Sequence, residues 1–121
     1  NLVSSGNYLN ETDDRVNAII DYIRQNFNQP LTNENISRYF NFNPVYLNRL
    51  IKRCTGYSLH QYLLNYRIRK ALDLLHTTNK SVSEIAYEVG FNDVNNFAVC
   101  FKKMVGISPK NYIKNSMIHN I

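Results

Sequence analysis

The 121-residue sequence has no tryptophan, two cysteines, three prolines and four glycines. No apolar run is long enough to cross a bilayer, and no signal-peptide pattern opens the chain. Cys54 and Cys100 both fall at apolar helix positions, and two buried thiols fit a reducing cytosol better than a disulfide. No phosphate loop, glycine-rich nucleotide fingerprint or nucleophile elbow is present. His60, His76 and His119 have no ligand-like spacing with each other or with the cysteines. Neither an enzyme, a metal site nor a cofactor is expected. Sustained strand alternation is also missing, which leaves an all-α fold.

Acidic residues are few and unevenly placed. There are nine against fourteen lysines and arginines, a formal charge of +5. Residues 1–37 carry two basic and five acidic side chains, and residues 38–121 carry twelve and four. A basic body is the expected footprint of a polyanionic partner. With 44% hydrophobic residues the chain can bury a core without disulfides. It begins at Asn1 and reads as a piece of a longer protein.

The periodicity predicts seven helices. Residues 1–11 are polar and aperiodic and read as a linker remnant or tail. A first helix starts near Thr12, with Asp13 and Asp14 in its positive first turn and a stripe of Val16, Ile19, Ile20, Ile23 and Phe27. A short second helix follows Thr32. The third has Asn43 as N-cap and Pro44 at its first position, and ends at Gly56. Its inward residues are Leu47, Leu50 and Ile51. The fourth opens on Ser58 and Gln61 at capping-box spacing and runs to about His76, apolar around much of its circumference. Ser81 and Glu84 start a fifth, a sixth runs from Asn92 to about Val105, and Ser108-Pro109 starts a seventh. The divisions expected are a tail (1–11), a first helix-turn-helix unit (12–57), a linker helix (58–76) and a second unit (77–121).

Two of these stretches repeat. Ile36 matches Ile85 and Phe42 matches Phe91 at an offset of 49. Past the turn the offset is 50: Leu47 matches Phe97, Lys52-Arg53 matches Lys102-Lys103, Gly56 matches Gly106 and Tyr62 matches Tyr112. Each copy is a short helix, a tight turn and a longer helix with a basic end. The turn needs a residue that tolerates positive φ, supplied by Asn41 and Gly90. Phe42 and Phe91 would pin each corner into the core. A helix following such a corner is free to enter a major groove.

The stretch I85-A86-x-x-V89-G90-F91-x-D93-x-x-x-F97-x-x-x-F101-K102-K103-x-x-G106-x-S108-P109-x-x-Y112 resembles the C-terminal signature of the AraC/XylS family of bacterial transcription regulators. The upstream half is similar too, through L31, I36, Y46-L47-x-R49-L50, G56-x-S58, Y62-L63, R67-I68 and K70-A71-x-x-L74-L75. The resemblance spans about residues 13–114. It implies an all-α DNA-binding domain with two helix-turn-helix units joined by a long central helix. Asn41 stands in place of the usual first-turn glycine, Ser37 where Ala is common, and Val99 where Arg or another polar residue is common.

The resemblance places Val45, Asn48 and Arg49 where the family reads bases. The chemistry agrees, since Arg can fork onto guanine, Asn onto adenine, and Val can pack on a thymine methyl. On the second reading helix, Asn95, Asn96 and Val99 are the expected base contacts. Tyr46, Lys52, Arg53, Arg67, Arg69, Lys70, Lys102 and Lys103 are expected to hold phosphates. The linker helix, roughly 28 Å long at about 1.5 Å per residue, would suit two adjacent major-groove segments. The expected partner is double-stranded DNA, with RNA polymerase when the protein activates transcription. The domain is expected to be cytoplasmic, associated with the nucleoid when bound and monomeric in isolation, a missing domain supplying any dimer contact. A rival reading is a helical protein-interaction module with degraded DNA readout, because the second reading helix has no charge on its outer face before Lys102.

Overall fold

A computed structural model describes the backbone of residues 2–119 and the side chains of residues 14–115. Seven helices follow in order: α1 (Leu2–Asn26), α2 (Asn33–Phe40), α3 (Pro44–Thr55), α4 (Leu59–Thr77), α5 (Val82–Glu88), α6 (Val94–Val105) and α7 (Pro109–His119). No strand occurs among the described residues. No helix is long and apolar enough to cross a membrane.

The chain divides into two compact units, residues 1–27 with 31–63, and residues 28–30 with 64–121. In the first, Val16, Ile19 and Ile23 of α1 close on Ile36 of α2, on Leu47, Leu50 and Ile51 of α3, and on Leu59 and Leu63 of α4. Ile20, Phe27, Phe40, Phe42 and Tyr62 pack around that cluster. In the second, Ile68, Ala71, Ile85, Ala86, Val89, Phe91, Phe97 and Phe101 are buried. A run of aromatic rings links Phe91 to Phe97, Phe97 to Phe101 and Phe101 to Tyr112, at centroid spacings of 5.3, 5.7 and 5.8 Å.

The helix starts follow the side chains that cap them. Thr32 and Ser81 each close a reciprocal capping box, with Asn35 and Glu84 respectively. Asn43 and Asp93 accept first-turn amides of α3 and α6. Ser58 Oγ and Ser108 Oγ accept the amides of Gln61 and Asn111 at 3.1 and 3.2 Å. Gly56 and Gly106 end α3 and α6 at φ +83° and +102°. Open space surrounds both, so the dihedral rather than crowding selects glycine there.

Three expectations need correction. First, α1 begins at Leu2, not near Thr12, so residues 2–11 form helix rather than a tail. Apart from Gly6 that segment contains no helix breaker, and an existing helix propagates at one hydrogen bond per added residue. Second, the side chains of Asp13 and His119 lie outside the described residues. Asp13 falls within α1, not at its start. Third, Cys54 is exposed and Cys100 half-buried, both as free thiols. Cys54 continues the apolar stripe of α3, but in the last turn of the helix, past the neighbours that cover Leu47, Leu50 and Ile51.

Candidate nucleic-acid interface

The two corners have the same hydrogen bonds. In the first, the Asn41 amide donates to the Arg38 carbonyl at 3.3 Å and the Phe42 amide to the Ser37 carbonyl at 2.8 Å. In the second, the Gly90 amide donates to Tyr87 at 3.1 Å and the Phe91 amide to Ala86 at 3.0 Å. Every partner moves by 49 positions. Asn41 has φ 59° and is the sole non-glycine residue with positive φ among those described; Gly90 has φ 103°. Asparagine takes the left-handed conformation more readily than other side chains, so the corner closes without glycine. Buried Ser37, the counterpart of Ala86, donates its hydroxyl to the Glu34 carbonyl at 2.9 Å and leaves no polar atom unmatched.

Beyond each corner the helix buries one face and presents the other. On α3, Leu47, Leu50 and Ile51 are buried, while Val45 (64% exposed), Tyr46 (44%), Arg49, Lys52 and Arg53 face solvent. Tyr46 rests edge-on against the Phe42 ring at 5.8 Å, so its direction is set by the corner. On α6, Phe97 and Phe101 are buried, while Asn95, Asn96, Val99 (69%), Lys102 and Lys103 are exposed. Arg49 of α3 corresponds to Val99 of α6, and the basic pairs stand at the same register. Among the described residues no carboxylate pairs with Arg49, Lys52, Arg53, Lys102 or Lys103, whereas Lys80 on the second unit pairs with Glu88.

Two expected contacts are placed differently. Arg67 is 8% exposed, so it is no phosphate clamp. Its guanidinium donates to the Gln29 carbonyl at 2.8 Å and lies over the Phe91 ring at 5.8 Å from its centroid. Burial pushes its pKa down, opposed by Cys100 nearby. Arg69, two residues on, lies about 200° round the helix and is exposed, whereas Arg67 shares its face with buried Leu63 and Ala71, four residues to either side. Asn48 is half-buried, and its Oδ1 accepts the Leu59 amide at 2.9 Å. That holds the oxygen an adenine fork would need toward the start of α4. Lys70 is half-buried, with Nζ 5.5 Å from the Tyr66 ring centroid.

Among the described residues no group of three or more His, Cys, Asp or Glu could hold a metal ion. The exposed outer faces offer amide, guanidinium and methyl groups, the types that read base edges, beside ammonium groups suited to phosphate.

A helix-turn-helix domain model matches residues 36–115. The chain is 32% identical over 102 residues to the HTH-type transcriptional activator RhaS of Enterobacter sp., covering 84% of this chain and 37% of that protein. The C-terminal domain of AraT, a response regulator from Geobacillus stearothermophilus, superposes with a TM-score of 0.80 at 38% identity, covering 83% of this chain and 84% of that one. An AraC-type regulator structure from Chromobacterium violaceum gives a TM-score of 0.76 at 25% identity, with coverages of 84% and 90%. The chain spans well under half the length of the curated relatives it matches.

Proposed function

The chain belongs to the AraC-type helix-turn-helix family of DNA-binding transcription regulators, and on that premise we propose that it reads duplex DNA with α3 and α6. The carrying observation is the repeated arrangement. Two corners with the same hydrogen bonds each launch a helix whose outer face is exposed and whose end bears an exposed basic pair.

In this reading Arg49 forks onto a guanine and Val45 packs on a thymine methyl beside it. On α6, Asn95 or Asn96 bonds a base edge and Val99 makes an apolar contact. Lys52, Arg53, Lys102 and Lys103 neutralise phosphates, helped by Arg69, Lys70 and the Tyr46 hydroxyl. These contacts fix register and carry little sequence information. The full-length protein would regulate transcription in the cytoplasm, activating it through RNA polymerase, with sensing or dimerisation supplied by chain outside this domain.

Binding to a selected duplex, followed by fluorescence anisotropy across a salt series, tests this. Affinity should fall steeply with salt, and replacing Lys102 and Lys103 by Ala should reduce the slope of log affinity against log salt by roughly 1.8, about 0.9 per lost phosphate contact. Binding indifferent to ionic strength, or no binding to any duplex, would favour the second reading, a protein-interaction module. The uncharged stretch of α6 from Val94 to Val99 is the observation behind that rival.

A further inference from the structure

We propose that Asn48 is a positioning residue: its Oδ1 bond to the Leu59 amide locks the first reading helix to the start of α4, and the base pair beneath it is not read by an amide fork. The inference rests on the DNA-reading proposal above for its functional half, and on geometry alone for its structural half.

Leu59 is the first residue of α4. Its amide is among the four donors that no carbonyl of its own helix can reach. Leu59 is 2% exposed, so solvent gives that amide little relief. An unpaired buried donor is costly, and Asn48, eleven residues earlier on α3, supplies the acceptor at 2.9 Å. The neighbouring Ser58 hydroxyl is already used, accepting from Gln61.

The second copy supports the pairing by lacking both partners. Fifty residues on, Asn48 becomes Ala98 and Leu59 becomes Pro109. Pro109 is the first residue of α7 and is buried, as Leu59 is in α4. Proline has no amide hydrogen, so nothing at that place needs an acceptor. The rest of the cap is retained, with Ser108 Oγ accepting from Asn111 as Ser58 Oγ accepts from Gln61. Donor and acceptor are present together in one copy and absent together in the other. A base reader at position 48 would have no reason to vary with residue 59.

The consequence is a division of labour on α3. A fork onto adenine requires Oδ1 to accept from N6 while Nδ2 donates to N7. With Oδ1 held inward, discrimination on this helix falls to Val45 and Arg49, and Asn48 sets the angle at which they are presented.

The test has two arms. In the first, affinities of the wild-type chain, Asn48→Ala and Asn48→Asp are measured against every single-base-pair variant of the selected site. Aspartate keeps the acceptor and removes the N7 donor. Both variants should bind more weakly by a factor common to all positions, Asn48→Ala through the lost bond and Asn48→Asp through its negative charge facing phosphate, with no base pair losing its discrimination. A preference for adenine abolished at one position, in both variants, would overturn the proposal. In the second arm, the unfolding constants of Asn48→Ala, Leu59→Pro and the double variant are compared. The rise caused by Asn48→Ala should shrink by about tenfold once proline removes the donor. Strict additivity would overturn the proposal. If Leu59→Pro does not fold, hydrogen exchange replaces the cycle: the Leu59 amide should be protected in the wild-type chain and in Asn48→Asp and fast in Asn48→Ala, and equal rates in all three would overturn it. A wild-type chain that selects no duplex would sink the DNA reading, while the second arm, which uses no DNA, would still decide the bond.

Discussion

Arg67 donates to the backbone carbonyl of Gln29 at 2.8 Å, and its guanidinium, 5.8 Å from the Phe91 ring centroid, is almost wholly removed from solvent. A cation so placed supports the second unit from within. Arg67→Met should lower stability by roughly 2–3 kcal/mol, the scale of a charged hydrogen bond lost with its acceptor left buried. The salt dependence of DNA binding should not change. Arg69→Ala should do the reverse, leaving the urea midpoint in place and flattening the salt slope. A changed salt slope in Arg67→Met would return that residue to the phosphate contacts.

The corner at Asn41 gives a second prediction. Asn41→Ala should cost about 1 kcal/mol, because a β-carbon without a local hydrogen-bonding group pays more strain at φ 59°. Asn41→Gly should be neutral or mildly stabilising, since glycine takes that conformation without steric cost. Urea denaturation of the three proteins checks the order Gly at or above Asn, and Asn above Ala.

Glu84 supplies a pH dependence. Its carboxylate accepts the Ser81 amide, and that bond, with the Ser81 side-chain bond and the charge of Lys80, holds its pKa below the ordinary glutamate value of 4.5. A depressed carboxylate stabilises the fold fully above its unfolded pKa. The contribution disappears as pH falls through the lower, folded value. Melting temperature should therefore fall below about pH 4.5 in the wild-type chain, and Glu84→Gln should remove part of that fall. An unchanged acid profile in the variant would show that the capping box contributes nothing to it.

Much of the fold was legible because its signals are local. Caps at Asn43, Ser58 and Ser81, terminators at Gly56 and Gly106, and apolar stripes at helical spacing are each contained within a few residues. The corners were legible because they occur twice, and a repeat makes a weak local signal count double. What the chain withheld is tertiary. Arg67 and Arg69 lie about 200° apart on α4, and Arg67 shares its face with buried Leu63 and Ala71, so its inward direction was legible, while its partners Gln29 and Phe91 were not. The bond from the Leu59 amide to Asn48 could not be read from the chain, because the two residues lie eleven apart across a turn. Cys54 sits on the apolar stripe, but the stripe runs past its cover. The extension of α1 back to Leu2 was masked by Gly6, Ser4, Ser5, Asn7 and Asn10, all poor helix formers, although Leu2 and Leu9 continue the seven-residue spacing of Val16 and Ile23.

In the function proposed, α3 and α6 read sequence on duplex DNA, with Arg49 carrying much of the discrimination. Selection of binding sites from random duplexes, run in parallel with the wild-type chain and Arg49→Ala, tests it most directly. The wild-type chain should enrich one defined site, and the variant should retain the site but lose preference at a single base pair, by about 1–3 kcal/mol. No enrichment by the wild-type chain, or an identical base preference in the variant, would contradict it.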